Sequence, residues 1–449
     1  MGRLFGTDGV RGIANRELTP ELAFKIGRAA AFVLMKETMH RTKILIGKDT
    51  RISGDMLEAA LCAGLTSVGS AVLSLGVIPT PAVAYLTRKY DADAGIVISA
   101  SHNSAEYNGI KIFSSNGYKL SDETEERIEA IVLDNAEEIP LPTGDAVGTV
   151  QKCDTAVADY VEFAKSTIDC DLSGMKIAVD CANGASYKTA VKVLNALGAE
   201  LYVIHNHPNG TNINLKCGST YMKDFCEYVK NIHIDIGLSF DGDADRLLVS
   251  DENGNVVDGD KIMLICAEYM KERGILLKNT LVTTVMTNLG LVLAAKEKGI
   301  NIVQTQVGDR YVLQKMLECG YILGGEASGH MIFLNHNTTG DGLVSALQLL
   351  SIMKKTGKKA SELAGVFKTL PQIIVNAKVQ NTKKQLFADD KVIEEEIRAL
   401  EKEFDGSGRV LVRPSGTEPC VRVMLEGEDI DIIKQKASCL AKLIEARLG

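Results

Sequence analysis

The 449 residues predict an α/β fold with mixed or parallel sheets. Short apolar runs rich in β-branched residues recur along the chain, separated by longer stretches with amphipathic character. That alternation packs helices against sheets in layers. Length adds a second constraint, since at about 100 to 200 residues per domain the chain holds about three or four. With 45% apolar residues, every one of them can bury a core.

In order, the expected strands are Lys43 to Gly47, Ala94 to Ser99, Lys176 to Asp180, Leu201 to Ile204, Ile234 to Phe240 and Thr280 to Val285. Between the first two, Ala59 to Leu86 carries no charge and is long enough to span a bilayer. Gly64, Gly69, Gly76, Pro79 and Pro81 break it, so it reads as a buried helix, a turn and a strand. Polar connectors near Leu141 to Cys153, Ser250 to Gly259 and Ala364 to Gln372 are the expected domain boundaries. In such sheets functional loops follow the carboxyl ends of strands.

The formal net charge of −8 argues against a nucleic-acid scaffold while leaving room for local basic pockets. Ten cysteines are scattered without a C-x-x-C pair, which indicates neither a zinc site nor a disulfide framework. Met1 to Leu4 lacks an apolar signal core, and Gly6 stands where a myristoylation signal needs Ser or Thr. A cytoplasmic protein in a reducing compartment is expected.

After the run Ile234 to Phe240 come Asp241, Gly242, Asp243, Ala244, Asp245 and Arg246, three carboxylates on alternate positions. If they converge to about 4 Å, each pair repels by about 4 kcal/mol at an effective dielectric near 20. All-oxygen ligation with small spacers suits a hard divalent ion, magnesium first. An EF-hand places acids at loop positions 1, 3, 5 and 12, and Glu252 falls at the last of these. Position 6 needs glycine and is Arg246, while Leu247 to Val249 reads as a second strand. The plain alternative is a solvated acidic turn.

A second apolar run ends in Ser101, His102 and Asn103, followed by Asn108, Gly109, Ile110 and Lys111. A hydroxyl, an imidazole and an amine are thereby offered together. No G-x-S-x-G elbow surrounds Ser101, so hydrolase-type acyl transfer is unsupported. Near the end, Ser415, Gly416 and Thr417 offer backbone N–H groups and hydroxyls, and Arg413 and Arg422 add forked donors, a composition suited to phosphate. No Walker A loop occurs, since neither Gly47-Lys48 nor Gly357-Lys358 is followed by Ser or Thr.

Ser99 to Asn103, the Asp241 to Arg246 loop, Gly324 to His330 and Arg413 to Pro419, in that order, resemble the signatures of the α-D-phosphohexomutase superfamily. The segment Phe5 to Gly12, with Asn212-Ile213-Asn214 and Cys217 to Thr220, resembles its bacterial branch acting on glucosamine phosphate. Resemblance covers nearly the whole length. It implies three related α/β domains plus a smaller C-terminal α+β domain around a central cleft, with boundaries at 1–152, 153–255, 256–368 and 369–449. It implies a mutase that moves phosphate between O6 and O1 of a hexosamine phosphate, feeding amino-sugar nucleotide and cell-wall precursors. Glucose or mannose phosphate is the alternative substrate, and a catalytically silent sugar-phosphate binder the non-enzyme alternative.

The resemblance makes Ser101 a phosphoserine whose phosphate oxygen joins Asp241, Asp243 and Asp245 around one Mg²⁺, with a sugar bisphosphate as activator. Arg11, Lys111, His102 and Arg246 are then the candidates around the transferring group, Lys111 favoured over His102 for moving the proton. Glu326 and Ser328 would contact the sugar with His330 in support, and Gly308 and Asp309 resemble a segment at the cleft. Expected partners are the hexosamine phosphate and a second copy of the chain in a homodimer, with no nucleic acid and no membrane. Two departures stand out: the family's proline after Ser-His-Asn is Ser104, and its common Asp before Asn-Gly-Ile-Lys is Tyr107. Losing that proline frees φ and adds an N–H, so a more mobile serine loop is expected.

Overall fold

A computed structural model describes residues 3–6, 8–381, 383–404, 406–415 and 419–449. The chain divides into two compact units, Met1–Met286 with Ile300–Val366, and Thr287–Gly299 with Phe367–Gly449.

The first unit contains three sheets. Its first comprises β1 (Val10–Ile13), β2 (Lys43–Lys48), β3 (Ala71–Val77), β4 (Ala94–Ile98), β5 (Tyr107–Ser114) and β6 (Thr149–Lys152), ordered β1-β5-β4-β2-β3-β6. The centre is parallel, β3-β2-β4, while β5 runs antiparallel between β4 and β1. All five residues of β4 are buried, which explains its unbroken apolar run. The charge-free stretch becomes the helix Ser53–Thr66, strand β3 and the start of the helix Thr80–Lys89, with Pro79 and Pro81 at the entry of the latter, where a missing N–H costs nothing. No described helix is long and apolar enough to cross a membrane.

The second sheet comprises β7 (Lys176–Asp180), β8 (Glu200–Ile204), β9 (Ile236–Phe240), β10 (Leu247–Asp251) and β11 (Val256–Val257), ordered β11-β10-β9-β7-β8. Here β9 and β10 form an antiparallel hairpin whose connection is the acidic loop. The third comprises β12 (Thr280–Thr284), β13 (Asn301–Thr305), β14 (Leu323–Gly325) and β15 (Met331–Phe333), ordered β13-β12-β14-β15. Again a hairpin, β14 to β15, carries the Gly324 to His330 motif at its tip.

The second unit is built on β16 (Gln372–Lys378), β17 (Arg409–Pro414) and β18 (Cys420–Glu426), an antiparallel sheet ordered β16-β18-β17. The helices Lys391–Phe404 and Ile430–Leu448 cover it, burying Ile393, Leu400, Phe404, Ile433, Leu440 and Ile444 with Val421, Val423 and Leu425. The helix Leu289–Glu297 belongs to this unit, where Asn288 takes Leu370 N–H on Oδ1 and donates to Leu370 O.

Candidate active site

Ser101 follows β4 in the left-handed region, at φ 50°, and is 1% exposed. Such a φ costs a non-glycine residue about 1 kcal/mol or more, so neighbouring bonds must hold it. They are supplied by Arg51, which follows β2. Its guanidinium pairs with Asp49 at 2.9 Å and donates to the carbonyls of Ser101 (2.9 Å), Asn103 (2.8 Å), Tyr107 (3.0 Å) and Ser104. Asn214 Nδ2 donates to the Ser101 and Asn103 carbonyls at 2.9 and 3.0 Å. The loop that lacks the family's proline is thus fastened through its backbone.

Ser101 Oγ donates to Asp241 Oδ2 at 2.7 Å. One oxygen each from Asp241, Asp243 and Asp245 lies within 4.8 Å of the other two. The triad is at most 6% exposed. Burial, then the charges of Asp245 and Asp243, push Asp241 well above the ordinary carboxylate range. Burial acts the same way on Asp245, but His330, Lys111 and Arg246 outweigh it and hold that group low. Asp243 Oδ1 and Asp245 Oδ1 are buried without a hydrogen-bond partner. Buried oxygens left bare beside like charges are costly by themselves, and the donor set fits a hard divalent cation.

Thr80, at the start of the helix Thr80–Lys89, positions the loop by donating Oγ1 to Asp243 Oδ2 at 2.7 Å and its N–H to the Asp243 carbonyl at 3.0 Å. The hairpin, not an EF-hand, explains the spacing: Leu247 to Val249 lie in β10, and Glu252 points away to accept from Ser361 N and Oγ.

Cations ring the acids. Lys111, on β5 beside β4, stands 3.2 Å from Asp243 Oδ2, 3.0 Å from Asp8 Oδ2 and 3.9 Å from Asp245 Oδ2. Burial disfavours its charge, but Asp243, Asp8 and Asp245 outweigh that and hold it as a cation. Arg246 donates its N–H to Asp241 Oδ1 at 3.2 Å and Nη1 to His102 Nδ1 at 3.2 Å, and His102 Nδ1 lies 3.3 Å from Ser101 Oγ. Burial first, then Arg246 and Arg11, keep His102 below its usual range. Arg11, on β1 opposite Gly109, pairs with Asp8.

His330 joins two loops. Its Nδ1 is 3.4 Å from Asp245 Oδ2, its Nε2 is 3.7 Å from Asp309 Oδ2, and Gly340 N–H donates to Nε2 at 3.2 Å, which leaves the proton on Nδ1 facing Asp245. Any side chain at 340 would meet the ring at 2.4 Å. Asp309 accepts from Lys119 at 2.7 Å, and Gly308 N–H donates to Glu326 Oε1 at 3.1 Å. Ser328 is exposed on the same hairpin tip.

In the second unit, Arg413 and Arg422 are paired directly across β17 and β18, a like-charge placement that an anion relieves. Burial and then Arg422 lower Arg413. Ser415 donates its N–H to the Cys420 carbonyl, while Gly416 and Thr417 lie outside the described residues.

Sequence reading missed Asp49, Arg51 and Thr80, and gave no role to Asp8 and Asn214, which lie within the Phe5 to Gly12 and Asn212 to Asn214 segments. Asp49 and Arg51 had a usable signal, a charged pair directly after a buried parallel strand. Thr80 had none.

Four family models match in chain order: phosphoglucomutase/phosphomannomutase α/β/α domain I over residues 2–138, domain II over 158–254, domain III over 258–370 and the C-terminal domain over 374–442. The phosphoglucosamine mutase of Ruminiclostridium cellulolyticum is 61% identical over 449 residues, covering all of both chains. That of Clostridium novyi is 60% identical over 447 residues, covering 100% of this chain and 99% of the other. A phosphoglucomutase/phosphomannomutase family protein from Burkholderia thailandensis shares the fold at TM-score 0.80 and 24% identity, covering 98% of this chain and 97% of the other. The Aspergillus fumigatus N-acetylphosphoglucosamine mutase, solved with GlcNAc-6P and magnesium, superposes at TM-score 0.70 and 18% identity, covering 99% and 96%. With ordered matches along its length and relatives of that identity, this chain belongs to the α-D-phosphohexomutase superfamily, in its phosphoglucosamine mutase branch, and is an enzyme of the isomerase class.

Proposed function

We propose that the enzyme interconverts glucosamine 6-phosphate and glucosamine 1-phosphate, with Ser101 carrying the phosphoryl group between turnovers. The observation that carries this reading is the buried Ser101 Oγ, 2.7 Å from a carboxylate triad that retains two unpartnered oxygens. Asp241, Asp243 and Asp245 with an oxygen on Ser101 would hold Mg²⁺, which when bound supplies charge neutralisation and polarises the phosphoryl oxygens. The free hydroxyl of the sugar phosphate attacks phosphorus, the bond to Ser101 Oγ breaks, and the hydroxyl proton leaves to a base. The resulting bisphosphate reorients and returns its other phosphate to Ser101, so a trace of sugar bisphosphate charges an enzyme that has lost its phosphate.

Positioning and charge do most of the work in such transfers. Lys111 and Arg246 supply fixed positive charge beside the triad. His102, kept low in pKa and 3.3 Å from Ser101 Oγ, is the better base for the hydroxyl proton, because the acids around Lys111 hold that side chain as a cation that can donate a proton but not accept one. Glu326 and Ser328 read the sugar, His330 and Asp309 brace their hairpin, and Arg413, Ser415 and Arg422 hold substrate phosphate with Gly416 and Thr417. Arg11 completes the cationic set. The cytosol is the compartment this chemistry implies.

Phosphorus NMR of glucosamine, glucose and mannose 6-phosphates, each with enzyme, magnesium and a trace of bisphosphate, tests the reading. Fastest conversion of the amino sugar is expected. Preference for glucose or mannose would transfer the assignment to a phosphoglucomutase or phosphomannomutase, and conversion of none would leave a binding protein.

A further inference from the structure

We propose that Asp180, His205 and Cys217 form a second cation site, separate from the acidic triad and selective for a borderline-soft divalent ion of the zinc class. The scattered cysteines gave no zinc spacing in the sequence; folding brings the donors together from three segments. Asp180 ends β7, His205 follows the neighbouring parallel strand β8, and Cys217 lies on the loop between β8 and the helix Met222–Asn231. One donor atom from each lies within 4.8 Å of the other two, and His205 Nδ1 is 3.0 Å from Asp180 Oδ1.

An Asp–His ion pair accounts for two of these groups but gives no reason for a buried thiol to stand within reach of both. The surroundings are arranged as a metal's outer shell is. Ala182 N–H and Gly218 N–H, each at 2.8 Å, hold the two oxygens of Asp180. The Asn183 side chain and the Asn214 N–H approach the Cys217 sulfur, while burial and the Asp180 charge push the thiol up to about 12, so an ion must displace a proton to bind there. Asp180 is 0% and Cys217 1% exposed, while His205 is exposed and leaves a solvent path for entry and for a fourth ligand. Ala182, Asn183, His205, Asn214 and Lys216 all lie in the left-handed region, at φ between 48° and 58°. The loop is over-determined by its bonds, with Asn214 N–H on the Ala182 carbonyl and Ser219 N–H on the Phe240 carbonyl.

Ligand chemistry separates the two sites. Sulfur, imidazole nitrogen and one carboxylate select zinc-like ions, whereas three carboxylates select magnesium. Binding breaks the Cys217 S–H bond and releases its proton to solvent, the sulfur lone pair forms the bond to the ion, and no electron is transferred. The same loop supplies Asn214, whose amide holds the Ser101 and Asn103 carbonyls, so an ion here stiffens the support of the serine loop.

Full-length, metal-stripped protein saturated with magnesium would be titrated with cobalt(II) as a spectroscopic substitute for zinc. We expect one cobalt per chain, a thiolate-to-cobalt charge-transfer band in the near ultraviolet, and its loss on adding zinc. Cys217→Ser and His205→Gly should each abolish the band or weaken binding at least about tenfold. The glycine variant relieves a left-handed φ, so its loss of binding is not a folding defect. Asp243→Asn and Cys439→Ser should leave the band unchanged. Absence of a stoichiometric band, its survival in Cys217→Ser, or its loss in Cys439→Ser would overturn the site.

Discussion

In the proposed mechanism Ser101 carries the phosphoryl group beside the metal, and it does so from a left-handed backbone. Ser101→Ala should abolish turnover while circular dichroism and Tm stay near the parent's; residual turnover above about one part in a thousand would remove the phosphoserine from the mechanism. Asp243→Asn should weaken magnesium dependence and rate together, and chelation should do the same to the parent; an unshifted magnesium titration would take Asp243 out of the metal shell. Arg51 is the positioning residue whose effect separates geometry from charge. A lysine keeps the charge opposite buried Asp49 but cannot fork to four carbonyls. Arg51→Lys should therefore lower kcat by about a hundredfold with KM little changed, whereas Arg51→Ala should cost about 3–5 kcal/mol by stranding Asp49. Equal effects of the two variants on Tm and kcat would assign Arg51 to packing alone. The acids were legible because period-two spacing is local. Arg51 and Asp8 act on residues 50 or more positions away, which no local pattern encodes.

The recurring element is the hairpin or strand end that delivers a polar loop: β4 to β5 for Ser101, β9 to β10 for the triad, β14 to β15 for Glu326 and His330. Strand runs were legible because burial on both faces forces continuous apolar residues. Pairing partners were not, since β5 and β10 each run antiparallel to both of their neighbours in sheets whose other central pairs are parallel. Helices answer to electrostatics at their ends. Ser121 caps the helix Asp122–Asp134, and in its first turn Glu125 is pushed up to about 7, chiefly by burial, with Arg310 opposing and Asp122 adding to the shift. Its folded pKa exceeds its unfolded value of about 4.3, so the folded state keeps a proton that the unfolded state releases. Stability from this group is full below the lower value and lost as pH rises through about 7. Glu125→Gln should thus raise Tm relative to the parent more at pH 8 than at pH 5; a constant difference across that range would refute the assignment.

At the scale of the whole molecule, an α/β chain with functional loops at strand ends was readable from alternation alone, and four ordered motifs identified the superfamily. The discontinuous second unit was not readable. Its helix Leu289–Glu297 sits between two strands of the first unit in sequence, and long-range bonds, Asn288 with Leu370 and Leu289 N–H to Glu426, reveal where it packs. The paired arginines of β17 and β18 give this unit its own test. Arg413→Ala should raise KM for phosphorylated sugars about tenfold or more, in line with losing one charge-assisted bond, while magnesium affinity at the triad is unchanged. A KM equal to the parent's would remove Arg413 from phosphate binding.

The left-handed backbone at Ser101 also bears on how the enzyme is lost. Because that φ suits glycine, Ser101→Gly removes the reactive hydroxyl and relieves conformational strain in one step. On the proposed mechanism the resulting protein would be dead, with the relieved φ offsetting part of the stability lost with the Ser101–Asp241 bond, and its sugar-phosphate contacts would remain. A cell carrying it would accumulate a full complement of inert enzyme that sequesters substrate, so measurements of protein abundance would report a healthy gene where metabolic flux has stopped.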